Sequence, residues 1–494
     1  MKALPKLATG AGTSWVLLAV ILLGGLAVRL YNISTPLADW HSWRQADTAS
    51  VTREYLKHNH PWLLPHYHDL SNIASGLPNP EGWRLVEFPI LSIFTAQLLR
   101  LQPQWDLVVT SRLVTVALSL ASVALLYDIV RLTSGRRGLA LAAAAVMAFL
   151  PYSIYYSRVI LPEPAMVTMV LVSIWSMVRW LAVVQTRRPA RWAWYLISIT
   201  TLAVALLLKP TAAFFGTIYV ALVWQRWGSQ AWRQPLLWAY ALAFAPLLWW
   251  RNWIEQYPAG IPAFEWLLNG NGIRLRPAWW RWLFGDRIGR LMLGFWGVVP
   301  ALVGTMVKSK GSRGRAFDQL TLAWLAGNLL YLVVFATGNV QHDYYQIMLV
   351  PGLAVAVARG GDWLWHQAGS GLYRWLSYSL LAVTAGLGLF LGWFHVRGYY
   401  QINVPAIVFA GRRVNQLTPP DAKVIAPYGG DTAFLFQTDR TGWPVGGDIN
   451  SKRAAGATHY VTTTLDDEAR QLLESYRLVE QTDQYLILDL TESL

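Results

Sequence analysis

The chain has 494 residues, of which 54% are hydrophobic and only 14% charged, and its net charge is +14. Soluble domains carry roughly 25% charged residues, so this composition excludes an ordinary soluble protein and points to one that crosses a membrane many times. With no cysteine, disulfides, cysteine zinc sites and thiol nucleophiles are excluded as well.

The basic excess does not signal nucleic-acid binding. From residue 396 onward, nine Lys and Arg face twelve Asp and Glu, so the first 395 residues hold 32 basic against 15 acidic side chains. The basic residues sit in short connectors between apolar runs, as cytoplasmic loops require, and the 28 tryptophans suit membrane–water interfaces.

The first apolar run is "SWVLLAVILLGGLAVRLYNI", residues 14–33. It is long enough to span, lacks a small-x-small cleavage site, and is followed by further spans, so it is not a signal peptide. Residues 34–107 follow as one long loop. Loops above about 15 residues are functional or disordered; this one is rich in Trp, Pro and His, which favours order. Within it, residues 41–58 have helical spacing with Trp43, Ala46, Ala49 and Tyr55 near one side. They are expected to form a helix lying on the membrane surface, held there by Trp40 and Trp43.

Further spans are expected near 108–130, 138–157, 165–184, 192–208, 210–226, 234–252, 290–307, 319–337, 345–358 and 375–395, about eleven in all. With the N-terminus inside, the alternate connectors are basic: Lys2 and Lys6, "RLTSGRR" (131–137), "QTRRPAR" (185–191), Arg226 and Arg233, "KSKGSRGR" (308–315), Arg359 and Arg374. Residues 34–107, 158–164, the region near 209, 253–289, 338–344 and everything after 395 then lie outside. The tail, 396–494, alternates short β-branched runs ("AKVIAPYGG", "ATHYVTTT", "QYLILDL") with an amphipathic run, "DEARQLLESYRLVE". It reads as a small extracytoplasmic α/β domain, and residues 1–395 as the membrane domain.

Charges at a membrane edge are costly and mark functional paths. Four outer places qualify. In 38–56, Asp39 precedes the helix while Arg44, Asp47 and Glu54 share a helical face, with His41 beside them. The plainer alternatives are an N-cap for Asp39 and a surface ion pair for Arg44 and Asp47. In "YYSRVILPEP" (155–164), Arg158 and Glu163 flank a proline turn, and a loop-closing salt bridge is the alternative. In "LLLKPTAAFF" (206–215), Lys209 sits at a helix break, where it either holds a phosphate or snorkels to the interface. In "GNVQHDYYQIMLVPG" (338–352), His342, Asp343, Tyr344 and Tyr345 crowd the end of a span. A divalent metal near "PHYHD" (65–69) is open, because the spacing is not distinctive.

This order of features resembles the C-type (GT-C) integral membrane glycosyltransferases, nearest the protein O-mannosyltransferase and lipid A aminoarabinose transferase group. Asp39 in "PLADWHSW" matches their acid after the first span, and "WRQADTASVTREY" is similar to the helix that follows it; "WRQADTA" itself is similar to a signature of bacterial family 39-like transferases. "SRLV" (111–114) resembles their Arg at the second span, and "YYSRVILPEP", "LKPTAAF" and "HDYYQIMLVPG" resemble later family segments. Two departures matter. The family's Asp-Glu pair reads Asp39-Trp40, with Asp47 further on, and its Lys-Pro-Pro reads Glu87-Phe88-Pro89.

The resemblance implies an inverting glycosyltransferase that takes a sugar from a polyprenyl-phosphate donor to a lipid, glycan or protein acceptor, at the outer face of a bacterial cytoplasmic membrane. Lys209, Arg158, His342, Tyr344 and Tyr345 would hold the donor phosphate and lipid. His41, Arg44, Glu54, Glu87 and Glu163 would bind substrate, and Asp39 first, or Asp47 in its place, would take the acceptor's proton. The rivals are a transporter or flippase for lipid-linked sugars, which would show charges at the midplane, and a scaffold whose tail binds cell-wall partners.

Overall fold

The computed structural model describes residues 11–185, 189–367 and 372–494. Lys2, Lys6 and the 186–188 part of one basic connector lie outside them. Helices dominate. Those that position the site are α1 (Ala11–Arg29), α2 (Ser42–Lys57), α3 (Ile90–Leu101), α4 (Leu107–Ser134), α5 (Arg137–Phe149), α6 (Pro151–Tyr156), α7 (Pro162–Val183), α8 (Ala190–Leu208), α9 (Gly216–Trp227), α10 (Val298–Met306), α11 (Gly311–Val334), α12 (Val350–Gln367) and α13 (Leu372–Val396).

Among the described residues, seven helices are long and apolar enough to cross a membrane: α1, α4, α7, α8, α11, the run Asp343–His366 that contains α12, and the run from Tyr373 that contains α13. The other four expected spans are broken. Pro151 separates α5 from α6, and a 3-10 turn at Pro210–Phe215 precedes α9. Residues 234–252 divide at Pro235 and at Ala245-Pro246, and 290–307 divides between the π-wound turns Arg281–Met292 and α10. Proline lacks the amide that helix continuation needs.

Helix ends are fixed by local chemistry. Asp106 caps α4, accepting from Val109 N at 2.8 Å, and Gly135 closes it in a left-handed conformation at φ 76°. Close helix contacts use small residues. A side chain at Gly304 of α10 would overlap Ala356 O of α12, and one at Gly360 would overlap Pro300 O. Each partner pair is four residues apart, so the two helices meet backbone to backbone along one stripe.

The basic connectors gather at one end of the bundle. Arg136 pairs with Asp362 at 2.6 Å, Arg359 with Asp318 at 2.6 Å, and Arg313 donates to Leu132 O at 2.6 Å. At the opposite end meet the C-termini of α1, α6 and α8, the N-termini of α4 and α7, and the segment 338–345. That end carries the α2 region.

Helix α2 is not a surface helix. Most of its residues are buried, because it is packed against α3 and covered by the C-terminal part of the chain. That part begins with α14 (Pro405–Leu417) and forms a mixed five-stranded sheet. Its strands are β1 (Lys423–Ile425), β2 (Thr441–Trp443), β3 (Ala457–Thr462), β4 (Tyr476–Gln481) and β5 (Leu486–Ser493), in the order β2-β1-β3-β5-β4. Alternating side chains split its two faces. Val424, Val461 and Ile487 pack with α14 and the short α15 (Ala433–Gln437); Ile425, Tyr460 and Leu488 pack with α16 (Asp467–Ser475). The run expected to stay helical through 480 turns to strand at Tyr476, where the chain pairs with β5 as the edge strand β4.

The sheet docks on the long loop. Gly442 N donates to His68 O at 2.9 Å and Leu70 N to Gly442 O at 2.8 Å. Arg53 of α2 lies 3.8 Å over the Phe436 ring, donates to Phe436 O and pairs with Asp439 at 3.1 Å.

The α10–α12 contact predicts that Gly360→Val, which forces a branched side chain into backbone, lowers the detergent-solubilised protein's stability by about 2 kcal/mol or more, read as a drop in thermal midpoint; Gly386→Ala, with open space around its Cβ, leaves the midpoint within a degree or two of wild type.

Candidate active site

The site grows from three clusters of buried polar groups. The first surrounds Asp39. This residue is fully buried in the turn between α1 and α2. Its Oδ2 accepts from Arg158 Nη2 at 3.1 Å and from Arg112 Nη2 at 3.2 Å, and its Oδ1 accepts from Gln45 Nε2 at 3.1 Å. Burial pushes the carboxyl up, and the two guanidiniums pull it back. Asp39 therefore neither caps α2, whose N-terminus is His41 in a left-handed conformation, nor reaches open space. Arg158 is equally enclosed, donating also to Asn32 O at 2.7 Å. It serves Asp39 and does not close a short loop with Glu163.

The second cluster surrounds Asp343. Its carboxylate accepts from Trp40 Nε1 at 3.1 Å, His41 Nε2 at 2.6 Å, Tyr399 Oη at 2.6 Å and Tyr156 Oη, while Tyr152 Oη donates to its backbone oxygen at 2.6 Å. His41 thus binds Asp343, and Trp40 stacks on Tyr399 at 4.8 Å. His342 packs between Trp43, Trp266 and Tyr344. Burial and the nearby His41 push its imidazole down to about 4, so at neutral pH it is a hydrogen-bonding group, not a cation.

The third cluster lines a small cavity of about 30 Å³ whose walls include Arg44, Asp47, Arg84, Glu87 and Leu208. Arg44 reaches across to Glu87 at 2.5 Å, and Asp47 pairs with Arg84 at 2.7 Å. The two α2 residues therefore do not pair with each other. Lys209, in extended backbone just after α8, pairs with Glu163 at the start of α7 and lies 5.1 Å from the Tyr345 ring. The carboxylates hold the Lys209 ammonium up despite its burial, and Arg44 with Lys209 holds Glu87 down against its own burial. Tyr344 and Tyr345 bridge this cluster to the second, their rings 4.7 Å apart.

Glu54 lies elsewhere, at the far end of α2, with its Oε2 3.6 Å from His58 Nε2 and 3.8 Å from His60 Nε2. The "PHYHD" histidines bond backbone: His66 to Glu81 O at 2.6 Å and His68 to Thr432 O at 3.1 Å. Among the described residues, no group of three or more His, Asp or Glu side chains is placed to hold a metal ion.

Sequence reasoning left Asp343, Arg84, Arg112, Asp431 and Thr432 without a role. An arginine at the head of an apolar span, as Arg112 is, carries a signal. Arg84 and Thr432 come from polar loops and carry none.

The arrangement has known counterparts. Residues 19–255 match the model of the family described as dolichyl-phosphate-mannose-protein mannosyltransferase. The fold is similar to that of ArnT from Cupriavidus metallidurans bound to undecaprenyl phosphate, at 13% identity and TM-score 0.62, covering 97% of this chain and 98% of that one. It is also similar to the Archaeoglobus fulgidus oligosaccharyltransferase in complex with Zn and sulfate, at 10% identity and TM-score 0.60, covering 90% of this chain and 68% of that one. Among curated proteins, none matches by sequence. The chain thus shares the fold of these two membrane proteins, with its buried charges gathered at one end of the helix bundle.

Two acids beside the cavity are tuned by burial. Asp69 and Asp431 are each pushed up from 3.8 to about 6, with the charge of Asp47 adding in both cases. A carboxyl whose folded value exceeds its unfolded value favours the fold below about pH 4, and that advantage is lost as pH rises through about 6. The stability of wild type relative to Asp431→Asn should therefore fall by roughly 1–3 kcal/mol between pH 4 and 7, measured as the difference in their thermal midpoints.

Proposed function

We propose that the protein transfers a sugar from a polyprenyl-phosphate donor to a hydroxyl of a glycan, lipid or protein acceptor, at the outer face of a bacterial cytoplasmic membrane. In this reading the N-terminus and the basic connectors face the cytoplasm. Residues 1–395 form the membrane domain, with 34–107 as its outer loop, and residues 396–494 form an outer domain.

One observation carries it. Three buried polar atoms without partners lie in the cavity cluster, Glu87 Oε2, Glu163 Oε2 and Arg84 Nε, and His342 Nδ1 lies in the cluster next to it. Such atoms are rare in finished structures and mark a site that a polar ligand completes. Arg44 and Lys209 beside them offer guanidinium and ammonium donors suited to a phosphate. An apolar cavity of about 430 Å³, with Ala212, Gly216, Tyr219 and Trp238 in its walls, begins one turn beyond Lys209 and suits an isoprenoid chain.

In the reaction we propose, the Asp47 carboxylate accepts the acceptor hydroxyl's proton as that oxygen attacks the anomeric carbon. The bond from that carbon to phosphate breaks, and Lys209 and Arg44 balance the charge gained by the departing lipid phosphate. Configuration inverts. Glu87, Glu163, Tyr344 and Tyr345 line the route and meet the sugar or phosphate oxygens. Asp39, with Arg112 and Arg158, holds the turn that aims α2, and His41 fixes that turn through Asp343. Asp47 is favoured over Asp39 as the base because Asp47 lines the cavity and Asp39 is sealed. The buried ion pairs lie at helix ends, which favours this reading over a transporter.

The test is transfer from a polyprenyl-phosphate sugar in membranes. Asp47→Asn should lower kcat by at least 100-fold; full activity would sink its assignment as base. Lys209→Ala should weaken donor binding by about tenfold or more, read as a higher KM for the lipid donor, and an unchanged KM would remove its role.

A further inference from the structure

The loop that precedes α15 in the C-terminal part enters the membrane site. Thr432 is buried, and its Oγ1 donates to Asp47 Oδ1 at 2.7 Å. The same hydroxyl lies 3.2 Å from Trp43 O, but it has one proton, and the shorter contact is to the charged acceptor.

Thr432 stands at the N-terminus of α15, where a threonine ordinarily turns its oxygen to the helix's first amides. Here its side chain makes no such bond. The backbone around it is tied down from three sides. Thr432 O accepts from Phe436 N at 2.9 Å and from His68 Nε2 at 3.1 Å, and Ala433 N donates to Asp431 Oδ1 at 2.7 Å. Burial drives the His68 imidazole down to about 3, so it is neutral and donates from Nε2. The residue is thus held so that its hydroxyl faces Asp47 and not its own helix.

Asp47 then has one donor on each oxygen: Thr432 on Oδ1 and Arg84 Nη2 on Oδ2 at 2.7 Å. A carboxylate has about four lone pairs, so two remain for an incoming hydroxyl. Two donors from unrelated segments fix the plane of the group, which a base must hold still as it receives a proton.

We infer that Thr432 is a positioning residue for the Asp47 carboxylate, so that the C-terminal part of the chain supplies a component of the catalytic centre. This rests on the reading of Asp47 as the base. The role asks one hydrogen bond to a charged group to be made better in the transition state than a replacement water makes it, which corresponds to roughly tenfold in rate.

The experiment measures kcat, KM and the pH profile of transfer in membranes for wild type, Thr432→Val, Thr432→Ser and Asp47→Asn, with thermal midpoints for each. Thr432→Val keeps the shape and removes the hydroxyl. It should lower kcat about tenfold with KM nearly unchanged, and move the acidic limb of the pH profile to higher pH, because the carboxylate loses a donor to its charged form. Thr432→Ser should restore most of kcat and return the limb. If Asp47→Asn is inactive while Thr432→Val keeps wild-type kcat and profile, the inference fails and the reading of Asp47 stands. The inference also fails if Thr432→Val lowers the midpoint and kcat with no movement of the limb and no rescue by serine, since that is a structural effect alone. An active Asp47→Asn overturns the base assignment, and the inference with it.

Discussion

A carboxylate sealed from water between two arginines organises this protein. Burying Asp39 alone would be prohibitive, and burying it with Arg112 and Arg158 is tolerable only if each charge keeps its partners. The three residues come from the α1–α2 turn, the head of α4 and the turn between α6 and α7. Meeting the electrostatic demand of the cluster brings those elements to one register. Arg112 also binds Ile33 O at 2.9 Å and Thr35 O, and Arg158 binds Asn32 O, so the backbone leaving α1 is held as well. With that turn fixed, α2 starts at one place and points Arg44 and Asp47 into the cavity.

The Asp343 cluster repeats the device with donors carried on rings. Tyrosines from α6 and from the end of α13, with Trp40 and His41, surround one carboxylate. Each donor is a large ring that excludes water while offering one polar atom, so the site wall is both apolar and saturated with hydrogen bonds. The cavity cluster differs from both. There the carboxylates Glu87 and Glu163 each keep one oxygen unsatisfied. In the two flanking clusters both carboxylate oxygens are bonded, so free acceptor capacity at a buried carboxylate lies in the cavity cluster between them.

Much of this was legible in the sequence because membrane thickness and charge placement are strong constraints. Long uninterrupted spans such as α4 and α7 follow from hydropathy, and α2 from its apolar spacing. Broken spans at Pro151, Pro210 and Pro235 were harder, since hydropathy windows average over a kink. The depth of α2 was invisible: its residues look amphipathic, and what buries them lies nearly 400 residues away. Charged positions were found, but their partners were not. Arg44 pairs with Glu87, not Asp47, and Arg158 pairs with Asp39, not Glu163. Spacing within one helix shows which residues are neighbours locally, and ion pairs in a bundle are chosen by tertiary approach.

The contacts between α2 and the segment 432–442 join residues separated by more than 380 positions. During synthesis, the helices enter the bilayer one after another while that segment is still unmade. For most of its assembly the chain therefore holds Arg53, Asp47 and Lys57 without their distant partners, next to lipid and water. Closure of so long a loop is slow and entropically costly. Packing at that end of the bundle is therefore complete only once the segment 432–442 has reached α2.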